Sequence, residues 1–181
     1  FYDSDFNEIL SYPVDSNMSE AMGIYEYLNE YYISGEYNGA GVVNKYDDSW
    51  NFIGSNSVSS GIPWNLAYKD AFFYVLYGSS QRVELYNIDG SPAGTNWTLS
   101  LPEQYTEITS IFWDQTESQW ICGYRNGHDS GGGLAVYDIN FNYLSSSYID
   151  GYDNQGMWYD GNDTFEFYSN YNDTVFRVKR N

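Results

Sequence analysis

The sequence predicts an all-β fold in which one four-stranded antiparallel unit recurs along the chain. Two observations about the order of residues support this prediction: an eight-residue motif, called here the repeated phrase, occurs several times, and short strand-like segments lie between its copies. The third observation is composition, because 21 Tyr, 10 Phe and 6 Trp occur among 181 residues. Aromatic and β-branched side chains favour strands.

The repeated phrase reads YDSDFNEI at its first occurrence, and its later copies read YDDSWNFI, YNIDGSPA and YDINFNYL. The copies are spaced 44, 40 and 51 residues apart and begin at Tyr2, Tyr46, Tyr86 and Tyr137. A second series places an aromatic residue before a charged one, with steps of 43, 45 and 46 residues, at Tyr25-Glu26, Tyr68-Lys69, Trp113-Asp114 and Tyr159-Asp160. Two interleaved series with one period predict a structural repeat.

Each repeat contains four strand-like runs bounded by Asn, Gly, Asp or Ser. In the first complete repeat these runs are GIYEYL, YYISGEY, GVVNKY and WNFIGSNSV. A sustained helical period of 3.6 residues is missing from the sequence. We therefore predict a single domain over residues 1–181, with units at 16–60, 61–103 and 104–151 and a fourth formed by 1–15 plus 152–181.

Four short strands per unit of this length resemble the blades of the β-propeller class. The resemblance covers nearly the whole chain but indicates no narrower family, because the repeats lack the paired Trp-Asp signature of WD40 repeats and the double glycine of Kelch repeats. It implies a propeller-like fold of about four four-stranded antiparallel blades.

The two ends of the chain carry complementary parts of one unit. Residues 1–15 look like the end of a third strand, a turn and a fourth strand, whereas the C-terminal residues supply only first, second and third strands. We expect the N-terminal strand to complete the last blade, either within one chain or between chains. Pairing between chains would produce a fibre. A third alternative is that these residues are part of a longer propeller. The residues expected at this junction are Phe1, Tyr2, Phe6, Ile9, Leu10, Val175, Phe176 and Val178.

The repeated phrase itself is predicted to form the turn between the third and fourth strands, at 3–7, 47–51 and 138–142. Asp and Asn suit such turns because their side chains bond nearby backbone groups. Asp3, Asp5 and Asn7 also resemble the opening of a calcium loop, but the glycine and the later acidic residue of that loop are missing. Calcium therefore remains the weaker alternative, and no cofactor or metal site is predicted.

The charge balance disfavours two classes of partner. With 25 acidic and 7 basic residues the formal net charge is −18, which opposes the approach of nucleic-acid phosphates and anionic lipid. The sequence shows no transmembrane stretch, so membrane insertion is not expected either.

The residue types that often carry out catalysis form no recognisable catalytic arrangement in the sequence. The single histidine lies in a glycine-rich loop beside two other triad-type residues, at His128, Asp129 and Ser130, but neighbours in sequence rarely converge as a triad. Glu26, Asp114 and Asp160 could ring one end of a central channel, although Lys69 interrupts the ring. Cys122, the single cysteine, is expected to be a buried apolar side chain. No catalytic residue is assigned, and we do not expect an enzyme.

Four Asn-X-Ser/Thr sequons predict glycosylation, and with it an extracellular or cell-surface location, at Asn17, Asn96, Asn162 and Asn172. Trp97, Trp113 and Trp158 are candidate carbohydrate contacts, with core packing as the main alternative reading. The leading hypothesis is a non-catalytic structural or adhesion module that self-assembles through its ends. The alternative is a carbohydrate-binding or glycoside-processing propeller.

Overall fold

The computed structural model describes residues 18–58, 61–101, 107–125, 131–149, 156–159, 164–169 and 174–179. These residues form strands joined by short turns, with a single turn of 3-10 helix at Gly78–Ser80. The first sheet comprises β1 (Glu20–Tyr27), β2 (Glu30–Tyr37), β3 (Ala40–Tyr46) and β4 (Phe52–Ser57). The second comprises β5 (Asn65–Lys69), β6 (Phe72–Tyr77), β7 (Arg82–Asn87) and β8 (Pro92–Thr98).

The third and fourth sheets continue the same series. The third comprises β9 (Glu107–Asp114), β10 (Gln119–Arg125), β11 (Gly132–Tyr137) and β12 (Tyr143–Ile149). The fourth comprises β13 (Gly156–Tyr159), β14 (Thr164–Ser169) and β15 (Thr174–Lys179). Within every sheet the strands follow chain order and pair antiparallel with their sequence neighbours. The prediction of an all-β fold with a recurring four-stranded unit is confirmed for the first three sheets.

Tight turns close the hairpins between the first and second strands. In the first sheet Leu28 and Asn29 both have positive φ, at 52° and 60°, and in the second Asp70 and Ala71 have φ of 52° and 69°. Two central residues with positive φ are the mark of the hairpin turn whose twist matches that of the flanking strands.

The sheets pack face to face through apolar side chains. Between the first and second sheets Tyr32 and Val43 lie in one buried cluster with Leu66, Phe73 and Val75. A larger cluster between the second and third sheets contains Ala67, Leu76, Ile111, Trp120 and Cys122. The burial of Cys122 is therefore confirmed, and burial raises the pKa of its thiol.

The first strands of consecutive sheets are neighbours, and we call β1, β5, β9 and β13 the inner strands. β1 contacts β5, β5 contacts β9 and β9 contacts β13. The sheets are therefore arranged in sequence order around the inner strands, and the later strands of each sheet lie further out.

The structure corrects the alignment of the second sequence series in the first repeat. Across the first hairpin Tyr27 pairs with Glu30, and across the second Lys69 pairs with Phe72. Tyr27, rather than Glu26, is therefore the counterpart of Lys69 and Asp114. The sequence series was matched one residue out of register because Tyr25-Glu26 fits the pattern of an aromatic residue before a charged one. Since neighbouring residues of a strand face opposite ways, this shift assigned Glu26 to the wrong face of β1.

That shift removes the acidic ring suggested by the sequence. Glu26 occupies the position of Tyr68, one residue away from the position of Asp114. Asp114 is buried, and its carboxylate accepts hydrogen bonds from the backbone of Thr116 and Glu117. Asp114 therefore stabilises the β9–β10 turn. Asp160 lies outside the described residues.

Candidate functional site

The repeated Asp-Asn phrase forms hairpin turns, as predicted. Asp47 Oδ1 accepts hydrogen bonds from the backbone N–H groups of Ser49 and Asn51, at 2.9 and 2.8 Å. Asp138 does the same with Asn140 and Asn142, at 2.8 and 2.9 Å. Both turns connect the third strand of a sheet to the fourth. The copy at 3–7 lies outside the described residues.

These turns use the carboxylate oxygens that the calcium alternative required. Asn142 Nδ2 donates to Asp138 Oδ2 at 2.8 Å, so both carboxylate oxygens of Asp138 accept bonds within the turn. Bonds from Asn51 and Asn142 hold the pKa of Asp47 and of Asp138 below the usual range of a carboxyl. Among the described residues no group of three or more His, Cys, Asp and Glu side chains is placed to hold a metal ion.

A cavity of about 600 Å³ opens where the inner strands end, and we call it the axial cavity. It lies at the C-terminal ends of β1, β5 and β9 and at the turns that follow β5 and β9. Aromatic and polar side chains line it: Tyr25, Tyr27, Tyr68, Lys69, Asp70, Trp113, Gln115 and Ser118.

A pair of tyrosines forms one wall of the axial cavity. The rings of Tyr27 and Tyr68 lie 3.8 Å apart between centroids, and Tyr68 Oη donates a hydrogen bond to Tyr27 Oη at 2.8 Å. Donating that bond favours the protonated phenol, which raises the pKa of Tyr68 to about 12. Tyr68 is therefore neutral at physiological pH, and the tyrosine pair presents ring faces and hydroxyl groups to the cavity.

A lysine and a tryptophan also line the axial cavity. Lys69 Nζ lies 4.6 Å from the centroid of the Trp113 ring, within the range of a cation–π interaction. The same ammonium group pairs with the carboxylate of Asp70, which is largely exposed. The axial cavity thus combines an indole face with one cation and one anion.

The structure separates the three candidate carbohydrate contacts. Trp113 lines the axial cavity. Trp97 lies outside it, in β8, where its ring packs against Phe141 and Tyr74 with centroids 4.9 and 5.9 Å apart. Trp158 lies in β13. Sequence reasoning missed Tyr27 and Tyr68, although the second series already placed Tyr68 in register with Trp113.

Other predicted residues have these positions. Asn96 is exposed on β8, the last strand of the second sheet. The remaining sequons, the residues 128–130, and the five junction residues of the N-terminus lie outside the described residues, at Asn17, Asn162, Asn172, His128, Asp129, Ser130, Phe1, Tyr2, Phe6, Ile9 and Leu10. No helix in the described part of the chain is long and apolar enough to cross a membrane.

The fourth sheet differs from the others at the position of its fourth strand. β3, β7 and β11 each pair with a fourth strand, but β15 stands at the edge of a three-stranded sheet in the described part of the chain. Val175, Phe176 and Val178, predicted at the junction, all lie in β15.

Comparisons with known proteins identify the architecture. No protein-family model matches the sequence, and no curated protein is significantly similar to it. Among solved structures, the computationally designed Ika4 protein matches with a TM-score of 0.52 and 14% identity, over 97% of this chain and 99% of that one. A chain of the nidogen–laminin complex matches with a TM-score of 0.61 and 9% identity, over 88% of this chain and 60% of that one.

A third match names the fold. The WD40 β-propeller domain of Doa1 matches with a TM-score of 0.54 and 10% identity, over 91% of this chain and 53% of that one. The chain therefore spans little more than half the length of the two natural chains. At such low identity the likeness shows the fold alone: the chain has the β-propeller fold, with three four-stranded sheets as blades.

Proposed function

We propose that the protein is a non-catalytic extracellular structural or adhesion module that joins further copies of itself through complementary terminal strands. The observation that carries this proposal is the edge position of β15, beside which no fourth strand lies among the described residues, whereas each of the other three sheets has a fourth strand. An unpaired sheet edge offers a row of N–H and C=O groups that an incoming strand satisfies.

Residues 1–15 are the proposed incoming strand. They repeat the phrase that, in its second and fourth copies, leads from a third strand into a fourth strand. Donation to the β15 edge of a neighbouring copy is a head-to-tail contact, which extends a filament unless the rotation between copies closes a ring.

The proposed location agrees with the placement of one sequon. Asn96 and Thr98 are both exposed on β8, so the acceptor amide is accessible to the glycosylation machinery of the secretory pathway. A glycan there would project from the outer strand of the second sheet, away from the inner strands.

The test is the mass of the particle as a function of protein concentration, by light scattering after size exclusion. We expect masses above the 20.9 kDa of one chain, and their loss when residues 1–15 are deleted. A variant with residues 1–15 in scrambled order is the matched control, and it should behave as the deletion does. An added peptide of residues 1–15 should cap assembly; a chain that stays monomeric at every concentration contradicts the proposal.

A second candidate function rests on the axial cavity. Its volume of about 600 Å³ lies in the range of small-ligand pockets, and aromatic faces beside hydroxyl and charged groups suit a sugar ring. Glycoside hydrolysis generally needs a pair of carboxylates, whereas Asp70 is the one acidic side chain among the described lining residues. Carbohydrate binding is therefore the form of this candidate that the cavity favours.

Glycan-array screening followed by calorimetry tests the second candidate. Trp113→Ala should abolish binding of any sugar identified, because it removes the indole face of the cavity. Trp97→Ala is the matched control, since it removes an indole outside the cavity. Equal loss in both variants, or binding that survives Trp113→Ala, would exclude the axial cavity as the sugar site.

A further inference from the structure

Two tyrosines from different sheets meet at the axial cavity through both their rings and their hydroxyl groups. Tyr27 ends β1 of the first sheet, and Tyr68 lies in β5 of the second, 41 positions further along the chain. Their ring centroids are 3.8 Å apart with 30° between the ring planes, and their hydroxyl oxygens are 2.8 Å apart. The ring carbons ortho to each hydroxyl lie between these two points of approach, so ortho carbons of the two rings lie close to contact.

The ortho carbons are the positions at which two tyrosyl radicals couple. We propose that Tyr27 and Tyr68 form an oxidative modification site, at which a bond between one ortho carbon of each ring makes a dityrosine cross-link between the first and second sheets. The site requires neither strand donation nor a bound sugar, so it is independent of both proposed functions.

The co-reactant of this step is a one-electron oxidant, used twice. Each phenol gives up one electron to the oxidant and its hydroxyl proton to solvent. The two radicals couple, the hydrogens on the joined carbons leave as protons, and both oxygens are reprotonated to phenols. The net loss is two electrons and two protons, which convert one hydrogen peroxide into two waters when a haem peroxidase supplies the oxidation.

Access distinguishes this pair from the other close tyrosine pairs. Tyr27 and Tyr68 are half-buried and line the axial cavity, which a small oxidant can enter. The hydroxyl groups of Tyr77 and Tyr86 lie 3.1 Å apart, but these residues are 3% and 2% exposed. Tyr137 is fully buried, and its ring meets its nearest described tyrosine ring edge-on at 6.0 Å. Contact between rings and access to solvent therefore coincide at the cavity pair.

The cross-link would act in this chain as a disulfide acts in others. Cys122 is the single cysteine of the sequence, so an internal disulfide cannot form. A bond between positions 41 residues apart restricts the unfolded chain and thereby stabilises the fold. Because it joins two inner strands that are already in contact, it also opposes separation of the first sheet from the second.

Photo-oxidation of the full chain at low concentration tests the site. The oxidant is ruthenium tris-bipyridine under visible light, with persulfate as the terminal electron acceptor. Trypsin cleaves after Lys45 and Lys69, so the expected product joins peptides 1–45 and 46–69 and is two hydrogen atoms lighter than their sum. Fragmentation by mass spectrometry should place the bond at Tyr27 and Tyr68.

More exposed tyrosines provide the internal comparison. Tyr37, Tyr143 and Tyr148 are 38%, 41% and 47% exposed. Because proximity favours coupling within the preformed pair, the product joining positions 27 and 68 should exceed any cross-link of these three by about tenfold. Cross-links that follow exposure alone, or oxygen added to Trp113 with no bond between positions 27 and 68, would overturn the proposal.

Substitutions provide a second readout, the fluorescence of dityrosine. Tyr27→Phe and Tyr68→Phe should each lower it by about tenfold, whereas Tyr143→Phe, the matched control, should leave it nearly unchanged. Circular dichroism checks that each variant keeps its fold. The cross-linked wild type should also unfold at a higher urea concentration than the untreated chain. Undiminished fluorescence in Tyr27→Phe, or a lower unfolding midpoint after cross-linking, would show that the bond does not arise from the native contact.

Discussion

At the scale of single residues, the Asp-Asn turns are pH-sensitive. The Asn142 side chain and then its backbone N–H hold the pKa of Asp138 below the ordinary value of 3.8. A carboxyl whose pKa is depressed in the folded state stabilises the fold above its unfolded pKa. That contribution is lost as the pH falls through the lower folded value.

We expect carbon-13 NMR titration of the Asp138 carboxyl to give a pKa below 3.8. Asn142→Ala should raise it towards 3.8 and lower the melting temperature at neutral pH. Asn51→Ala is the control: it should raise the pKa of Asp47, whose turn has the same bonds, and leave Asp138 unchanged. An unshifted Asp138 in the wild type would mean that the turn does not form in solution.

The tyrosine pair of the axial cavity gives the opposite pH dependence. The pKa of Tyr68 is raised to about 12, first by the hydrogen bond to Tyr27. A raised pKa contributes stability that is complete below the unfolded value near 10 and is lost as the pH rises through about 12.

Tyr27→Phe removes the acceptor of that bond, so the pKa of Tyr68 should move down towards 10. The measurement is NMR of tyrosine labelled at Cζ, which resolves individual phenols. Tyr143→Phe, in β12, is a remote control and should not move it. A Tyr68 pKa that is unchanged in Tyr27→Phe would show that burial, rather than the hydrogen bond, controls this phenol.

At the scale of the secondary-structure elements, position within the inner strands decides stability. Ile111 is fully buried between the second and third sheets, so Ile111→Ala should lower the free energy of unfolding by about 2–5 kcal/mol. Ile24→Ala changes the equivalent but exposed residue and should cost about 0.5 kcal/mol or less in dilute protein. Urea unfolding at low concentration measures both, and equal losses would mean that the first sheet is covered within the single chain.

The β1–β2 turn carries a correctable strain. Leu28 has φ of 52° and is 75% exposed, and a left-handed conformation costs most L-residues roughly 1–2 kcal/mol, but asparagine less. Leu28→Asn should therefore stabilise the protein by about 0.5–1 kcal/mol in urea unfolding. Leu144→Asn, in a regular strand, should give no gain. A loss of stability in Leu28→Asn would mean that the leucine makes a contact in solution.

At the scale of the whole molecule, each sheet packs against its neighbours in sequence. β9 contacts both β5 and β13, so removing the fourth sheet leaves the interface between the second and third sheets intact. Repeat proteins of this kind have stabilities close to a sum over units and neighbouring interfaces.

A chain ending at residue 149 should therefore keep its first three sheets. Hydrogen exchange should show protected amides in β6 and β10, whose residues are buried. Deleting residues 61–101 is the control, because it removes the sheet that both neighbours pack against, and protection should then be lost. Complete unfolding of the chain ending at 149 would indicate a closed, all-or-none ring instead.

Hydrogen bonding between residues close in sequence accounts for the turns that were predicted correctly. The turns at 47–51 and 138–142 follow from Asp and Asn side chains that bond backbone groups within five residues. The turns at Leu28-Asn29 and Asp70-Ala71 contain no glycine, although both central residues of each turn have positive φ. The sequence misaligned the first repeat because Tyr25-Glu26 fits the pattern of an aromatic residue before a charged one, whereas the residues in the true register, Glu26-Tyr27, do not.

By itself the sequence determined the all-β repeat, the four-strand unit and the chemistry of the third-to-fourth turns, because strand alternation and turn bonding act over a few residues. Only the tertiary structure decided that Tyr27, Tyr68 and Trp113 meet around one cavity, that Trp97 lies in the packing between sheets, and that Ile24 is exposed where Leu66 is buried. These features depend on which sheet lies beside which, and that placement comes from contacts between residues more than forty positions apart.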